Sequence, residues 1–434
     1  MKYRRRLDTR KGLFSIGIVI LVCMLVSPVQ TFGWGNTWNG INLEKIVNSS
    51  LWRIGALRCN ATFWLYNSGY DSNIFYGNLQ EPISDFTFSA GSNITLYMPF
   101  KSGIVFEINE TPQYGFYLHN KEDMGFSNSF SSQVHFALKK LYFRIGGGYI
   151  NIKERVTTEL YINVRRREND FNGMAFWQIS KRSALSLEYI FSSREYENPE
   201  VLVENPGEFI INWETLNRNE SYLNLIAYLQ NSPKTRLYMN AEYGAFTFKE
   251  DFSSFKDSRS YGVFGGIEFL PSPSSREGAK GIRGNIELGY KLFNVDSPDQ
   301  KDYGGLVGNT AVSIDINRFT KISGTFLRDV QFSVYGGQAY FLQTVYTGGI
   351  THSLSEKITV TYALSLSRNQ YVRQETIDKF LSHSIRLGFR LTERIELNLI
   401  ANISERNPNS LEIGKHRNFF GLNFKYGMGD SSDI

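Results

Sequence analysis

The chain has little cysteine and little proline. Only Cys23 and Cys59 occur among 434 residues, and proline is limited to 11 positions. A disulfide framework of several bridges is therefore excluded, so stability must come from burial and backbone pairing. The same sequence contains 33 Phe and 25 Tyr, a composition that favours β-strands.

Long apolar runs are also scarce. The longest is Gly12–Val26, about 15 residues, and it follows a basic start. This is shorter than the roughly 20 residues that span a bilayer as a helix, so it predicts a cleaved signal peptide over residues 1–33, with an uncleaved anchor as the alternative. We expect a periplasmic lead-in over 34–52, an outer-membrane barrel over 53–428 and a tail over 429–434.

The mature chain has no excess of either charge. Six of the 47 basic and one of the 42 acidic residues lie in residues 1–33, which leaves 41 of each sign. The basic balance therefore reflects the targeting segment. Nothing in it predicts a nucleic-acid partner.

Recognisable motifs of catalysis and metal binding are missing. The five histidines show no HxH or HExxH spacing, and no GxSxG elbow, Walker loop or dinucleotide fingerprint occurs. We predict no catalytic residues, no metal and no cofactor, and hence not an enzyme. A barrel-borne hydrolase is the alternative, with no residue set to support it.

What is present is an alternation with period two that recurs from about Arg53 onward. Ile358, Val360, Tyr362 and Leu364, for example, alternate with small polar residues, which places the large apolar groups on one face of a strand. About eighteen such segments occur, and sixteen is the alternative count. They begin near residues 53, 84, 102, 124, 140, 168, 183, 217, 235, 257, 281, 303, 320, 340, 357, 379, 394 and 416.

The connections between these segments alternate between short and long. This asymmetry predicts an all-β fold, a transmembrane antiparallel up-and-down β-barrel with short periplasmic turns and long extracellular loops. Two connections fit less well: Pro271–Gly281 is long for a turn and Val334–Ala339 is short for an outer loop. A long loop is predicted over Glu154–Asp170, where Arg165–Arg167 could contact lipopolysaccharide or form a solvated turn.

A membrane barrel must close, because hydrocarbon offers no partner to unpaired backbone groups. At 16 to 18 strands the lumen can be aqueous, so the polar face should point inward, where charges either line a channel or pair across strands. Aromatic side chains near strand ends, including Trp64, Phe176 and Trp177, would suit the interfacial girdles. The candidate lumen residues are Arg144, Glu188, Asn240, Glu242, Arg283, Glu287, Lys291, Arg386, Arg390, Glu396 and Lys425.

The longest predicted loop, Ser192–Glu220, carries enough apolar surface to fold into the lumen. Phe209 and Trp213 are its candidate constriction residues. The final strand ends on alternating Phe420, Phe424 and Tyr426, the kind of segment that barrel-assembly machinery recognises, although residues 427–434 follow it.

Three short motifs carry a resemblance. They are Gly69–Phe75, Ser84–Phe86 and Leu96–Pro99, within residues 66–118. In them the chain resembles the putative β-barrel porin family whose members accompany exopolysaccharide-biosynthesis genes. The resemblance implies an outer-membrane pore, an exit for a secreted polysaccharide, and polysaccharide-export components as partners.

The hypothesis from the sequence is therefore a porin-like channel in the cell outer membrane, in contact with lipid and lipopolysaccharide, that passes polar solutes or a secreted exopolysaccharide. Two alternatives remain open. One is a non-conducting barrel that acts as an adhesin or receptor through its loops. The other is a soluble secreted all-β protein that binds glycans.

Overall fold

The computed structural model describes residues 50, 52–74, 82–100, 103–155, 159, 163–197, 212–270, 281–372, 377–407 and 415–428. The predicted signal peptide over 1–33, residues 34–49 and 51 of the predicted lead-in, and the predicted tail over 429–434 lie outside these described residues.

Strands account for most of the described chain. Three short 3₁₀ turns, Lys121–Asp123, Trp213–Leu216 and Asp251–Lys256, lie in the connections. The strands are β1 (Trp52–Ile54), β2 (Leu57–Asp71), β3 (Asp85–Pro99), β4 (Ile104–Tyr117), β5 (Gly125–Ala137), β6 (Leu141–Arg155), β7 (Asn163–Gln178), β8 (Ser183–Glu197), β9 (Arg218–Ser232), β10 (Thr235–Phe248), β11 (Ser258–Phe269), β12 (Gly281–Val295), β13 (Tyr303–Asp315), β14 (Thr320–Phe332), β15 (Tyr340–Ser353), β16 (Ile358–Tyr371), β17 (Ile377–Arg390), β18 (Ile395–Asn407) and β19 (Lys415–Met428).

The sheet closes on itself. Each strand from β2 to β18 pairs antiparallel with the next, and β19 returns to pair with β2, with Phe420 opposite Tyr70. Closure leaves no edge of unpaired N–H and C=O groups, as an apolar environment requires. The predicted barrel of eighteen strands is confirmed. The short β1 is an extra strand, which pairs with the start of β2 through a turn at Gly55, where φ is 60°.

Strand positions agree closely with the alternation in the sequence. Sixteen of the eighteen barrel strands begin within two residues of the predicted start. β2 begins at Leu57 rather than near 53, because β1 and its turn occupy the preceding residues. β7 begins at Asn163 rather than near 168, so the predicted long loop over Glu154–Asp170 is wrong, and Arg165–Arg167 lie in a strand.

Each barrel strand separates an apolar outer face from an inner face rich in polar groups. On β12, Ile286, Leu288 and Tyr290 are 38%, 56% and 51% exposed on the outer face, and they alternate with Glu287 and Lys291 on the inner face. Barrel strands of 12 to 16 residues exceed the roughly 9 to 11 that a tilted strand needs to cross the hydrocarbon. They therefore continue beyond the apolar band.

Two of the aromatic residues expected in the girdles point inward instead. Trp64 pairs with Gly91 on the inner face, and Phe176 is buried against Val105 and Tyr142 inside the barrel. Their neighbours in the sequence, Phe63 and Trp177, lie on the outer face and are exposed. The parity of each strand therefore decides which member of an aromatic pair faces outward, and the girdles themselves stay a prediction.

Candidate functional site: the barrel lumen

The predicted lumen residues all lie on the inward parity of their strands. They occur on seven strands of the wall, and Arg144 and Glu188 share one row of the pairing register through Met174. The placement by strand is Arg144 on β6, Glu188 on β8, Asn240 and Glu242 on β10, Arg283, Glu287 and Lys291 on β12, Arg386 and Arg390 on β17, Glu396 on β18 and Lys425 on β19. Their role in permeation stays a prediction.

Some of these charges pair across neighbouring strands. The Lys291 Nζ lies 2.9 Å from an oxygen of Asp329 and 3.3 Å from one of Glu242, and Arg283 lies 3.1 Å from Asp315. Such pairing limits the cost of placing charge away from bulk water. Both readings of the sequence, lumen lining and cross-strand pairing, therefore apply to these groups.

Some lumen charges lie on opposite walls of the barrel. Among the described residues, Arg386, Arg390 and Lys425 form no ion pair with a carboxylate. β8 and β17 are nine strands apart in either direction around the eighteen-stranded wall, as are β10 and β19. Glu188 and Glu242 therefore belong to the wall that faces Arg386 and Lys425.

The β14–β15 connection, Ser333–Ala339, folds into the barrel rather than outward. Ser333, Val334 and Ala339 are 0%, 2% and 0% exposed. Val334 packs with Trp213 and with residues of β7 and β8, across the lumen from its own strands. We call Ser333–Ala339 the inward segment. Its path explains why this connection is short for an extracellular loop.

Trp213, one of the two predicted constriction residues, packs against the inward segment. It opens the 3₁₀ turn Trp213–Leu216 and is 1% exposed. The Asn212 side chain accepts a hydrogen bond from the Glu214 N–H at 3.0 Å, which caps the turn. Phe209, the other predicted residue, lies outside the described residues.

Two buried charges hold the inward segment from either side. Glu159 accepts hydrogen bonds from the Ser333 hydroxyl at 2.6 Å and from the Val334 N–H at 2.7 Å. The Lys256 ammonium donates to the carbonyl oxygens of Ser333 at 2.8 Å and Thr215 at 3.3 Å. Both side chains are fully buried. The sequence gives no local signal for this arrangement, because the contacts join connections that are distant along the chain.

Burial shifts the titration of both groups. It raises the pKa of Glu159 to about 7, against the opposing effects of the two hydrogen bonds and of Lys256. It lowers the pKa of Lys256 to about 7, against the attraction of Glu159. The charge on the inward segment's supports therefore changes near neutral pH.

A cavity of about 570 Å³ lies beside the inward segment and crosses the lumen. Arg166, Arg194 and Arg218 line one side of it, on the adjacent strands β7 to β9, and Arg406 lines the other side on β18. Carboxylates partner these groups: Arg218 lies 2.6 Å from Glu220, for example. Arg166 thus faces inward, while Arg165 and Arg167 point outward and pair with Glu197.

A second cavity, of about 430 Å³, has a different lining. Hydroxyl, amide and aromatic groups dominate it, and its two charged residues, Asp71 and Arg417, bind each other, with the Arg417 Nε 3.0 Å from both carboxylate oxygens. Phe380 lines both cavities, so they adjoin. No local pattern in the sequence indicates either cavity, because each is assembled from strands that are distant along the chain.

Within the described ranges, no group of three or more His, Cys, Asp or Glu side chains is arranged to hold a metal ion. The helical turns of the described chain are all too short and too polar to cross a bilayer.

These features define a class of protein. A closed antiparallel barrel with an apolar outer face, a polar lumen and a connection folded into that lumen is the architecture of an outer-membrane porin. The chain belongs to the family described as Putative beta-barrel porin 2, whose sequence profile matches residues 165–426, more than half of the chain. The motifs within residues 66–118 that suggested a porin family lie before this match.

Solved porins share the fold. The structure is similar to OccK2 (OpdF) of Pseudomonas aeruginosa, with a TM-score of 0.51 and 8% identity over 86% of this chain and 97% of that one. It is also similar to the outer membrane protein opdK of Pseudomonas aeruginosa, with a TM-score of 0.50 and 10% identity over 85% and 98% of the two chains. At these identities the likeness shows the fold alone. No curated protein sequence matches the chain.

Family and fold together place the protein in the outer membrane, as predicted. They indicate a channel rather than an enzyme.

Proposed function

We propose that this porin is a passive channel through which small polar solutes cross the outer membrane. The observation that carries the proposal is the division of the strands into an apolar outer face and a polar inner face, on which Arg386 and Lys425 form no ion pair with any described residue. Charges on the inner wall favour a wet interior, since isolated charge in a dry one would cost many kcal/mol.

The inward segment favours small solutes over a growing polymer. It is pinned by Glu159 and Lys256 and packs across the lumen against Trp213. We infer that it, together with Trp213, is the constriction of the channel. Exit of a secreted exopolysaccharide would require these contacts to break. It therefore stays a narrower hypothesis, tested by whether deletion of the gene reduces surface polysaccharide.

Planar-bilayer recording tests the channel directly. Refolded protein, verified as a barrel by heat-modifiable gel mobility, should give discrete current steps. A matched variant in which Ser333–Ala339 is replaced by a two-residue Asn-Gly turn should give larger steps, because the constriction is removed. Folded protein that gives no steps in either form would overturn the proposal. Intact binding of a partner with zero conductance would favour the adhesin or receptor.

A further inference from the structure

The lumen wall formed by β3, β4 and β5 carries no charge over a long stretch, as the inward faces of β15 and β16 also do. The inward-facing residues of β3 from Thr87 to Thr95, of β4 from Asn109 to Tyr117 and of β5 from Ser127 to Gln133 include no Asp, Glu, Lys or Arg. Glu110, the one charged residue in these ranges, has the outward parity. We call these inward-facing residues the neutral strip. Neighbouring walls carry Arg144, Glu188 and Arg386.

Side chains in the neutral strip are held in a closed ring of hydrogen bonds. Asn93 Nδ2 donates to Thr111 Oγ1 at 2.9 Å, and the Thr111 hydroxyl donates to Asn109 Oδ1 at 3.4 Å. Asn109 Nδ2 donates to Thr95 Oγ1 at 2.8 Å, and the Thr95 hydroxyl donates to Asn93 Oδ1 at 3.3 Å. Amides and hydroxyls carry both donors and acceptors, so this ring presents an ordered surface of both kinds to the lumen.

An aromatic pair lies beside the strip on β2. The rings of Trp64 and Tyr66 stack with centroids 4.8 Å apart and an angle of 12° between their planes. Gly91, which pairs with Trp64, makes this possible: a Cβ there would lie 2.5 Å from the Trp64 ring. The absence of a side chain at Gly91 lets the indole lie along the inner wall.

The neutral strip leads into the cavity of about 430 Å³, whose lining includes Thr87, Ser89 and Tyr117 from the strip itself. Phe380 and Phe419 add aromatic rings, and Asn402 adds an amide from the opposite side of the cavity. The volume lies within the roughly 300 to 1,000 Å³ typical of small-molecule sites. The Asp71–Arg417 pair leaves this cavity without net charge.

We propose that the cavity, the neutral strip and the Trp64–Tyr66 pair form a track for uncharged, polyhydroxylated solutes, that is, neutral saccharides. Sugar hydroxyls can exchange hydrogen bonds with water for bonds to amides and hydroxyls at little net cost, because both partners are neutral. The apolar C–H faces of a sugar ring can pack on aromatic faces. The neutral strip itself offers no counter-charge to charged solutes. The inference rests on the proposed channel and names its substrate class.

Current blockade by maltotriose tests the track. Added to a bilayer that contains the protein, maltotriose should interrupt the ion current in a concentration-dependent way, and the anionic trisaccharide trigalacturonate should do so less well. A Trp64→Ala, Tyr66→Ala double variant should weaken the maltotriose effect about threefold to tenfold. The single variant Trp64→Phe, which retains Tyr66, should keep most of the maltotriose effect, because phenylalanine preserves an aromatic ring at this position.

Tyr243 and Tyr261 supply the matched control. Their rings also contact each other, 5.4 Å apart, but on the lipid-facing side of β10 and β11. Replacing both by alanine should leave the maltotriose effect within about twofold, since they are distant from the lumen. Each variant is checked for folding by its heat-modifiable mobility.

The outcomes separate the track from the channel. Clear current steps that maltotriose does not interrupt, or that trigalacturonate interrupts at least as well, would overturn the track and leave the channel standing. If no current steps appear, the channel fails, and calorimetric titration of the detergent-solubilised protein with maltotriose decides the track. Heat of binding that disappears in the Trp64, Tyr66 double variant would support it, and no heat would overturn it.

Discussion

The Lys256 ammonium donates a hydrogen bond of 2.8 Å to the carbonyl oxygen of Ser333, a residue 77 positions further along the chain. One residue belongs to the β10–β11 connection and the other to β14–β15. The bond therefore ties two extracellular connections together inside the barrel. Together with Glu159 on the other side, it makes the inward segment part of the fixed structure of the lumen.

Replacing Lys256 by methionine should release the inward segment without unfolding the barrel. Two carbonyl oxygens lose their donor in a buried site, which costs about 1 to 3 kcal/mol locally. We expect larger and noisier single-channel currents, with unchanged heat-modifiable mobility. Lys249→Met, which removes the more exposed ion pair with Glu195, is the control and should leave the currents unchanged. Equal currents from Lys256→Met and the unaltered protein would contradict the claim that Lys256 holds the inward segment in place.

The hold on the inward segment should weaken as pH rises from about 5 to about 7. The pKa of Glu159 is raised to about 7, above its ordinary value, so its contribution to stability is present at acid pH and is lost as pH rises through 7. The pKa of Lys256 is lowered to about 7, so below that pH its side chain is protonated in both the folded and the unfolded state. Lys256 therefore adds nothing to the change of stability with pH in this range. Current noise recorded from pH 5 to 7 measures the effect.

Glu159→Gln is the matching variant for this pH dependence. The amide keeps the size of the side chain and cannot ionise. Its current noise should therefore stay constant over the same pH range. If the current noise of the Glu159→Gln variant changed with pH as much as that of the unaltered protein, the pH dependence would belong to another group.

Ion selectivity should depend on the basic wall of the lumen. The double variant Arg386→Gln, Arg390→Gln removes from β17 two positive charges that form no ion pair with any described residue, and it should shift the reversal potential in a KCl gradient toward cation selectivity. Arg259→Gln is the control, because Arg259 is exposed on the outward parity of β11. A shift of equal size in the control would show that the β17 charges do not face the conduction path.

The two faces of β12 should tolerate charge very differently. Leu288→Arg places a cation on the lipid-facing side and should destabilise the folded barrel by up to about 2 to 4 kcal/mol, depending on its depth in the bilayer. Asn285→Arg introduces the same group on the inward face of the same strand and should have little effect. Urea unfolding in liposomes compares the two. If Asn285→Arg destabilised the barrel more than Leu288→Arg, the assignment of the lipid-facing and lumen-facing sides of β12 would be wrong.

Local periodicity predicted the wall of this barrel well. The short turns and the parity of β12 or β16 follow from residues within one strand, so the sequence alone indicates them. Ile400 is the exception on β18, an apolar residue on the inward parity with 9% of its surface exposed. Arg165–Arg167 were misplaced because charge was taken to mark a loop, although strands that extend above the bilayer can bear charge on both faces.

The interior could not be predicted in the same way. Glu159, Lys256 and Ser333 meet through connections that are far apart in sequence, and no period relates them. The Trp64–Tyr66 stack likewise depends on the pairing of Trp64 with Gly91, which is a property of register rather than of composition. Only the shortness of the Val334–Ala339 connection hinted that this part of the chain does not extend outward.

The central claim is that the polar face of each strand lines a wet lumen and the apolar face contacts lipid. Met239 and Asn240 are adjacent on β10, and Met239 is 63% exposed on the outer face. Cysteine introduced at each position in turn, in a Cys59→Ser background and in liposomes, reports on the surroundings through its reaction with a charged thiol reagent. We predict rapid labelling at position 240 and protection at 239. Labelling at 239 with protection at 240 would contradict the account.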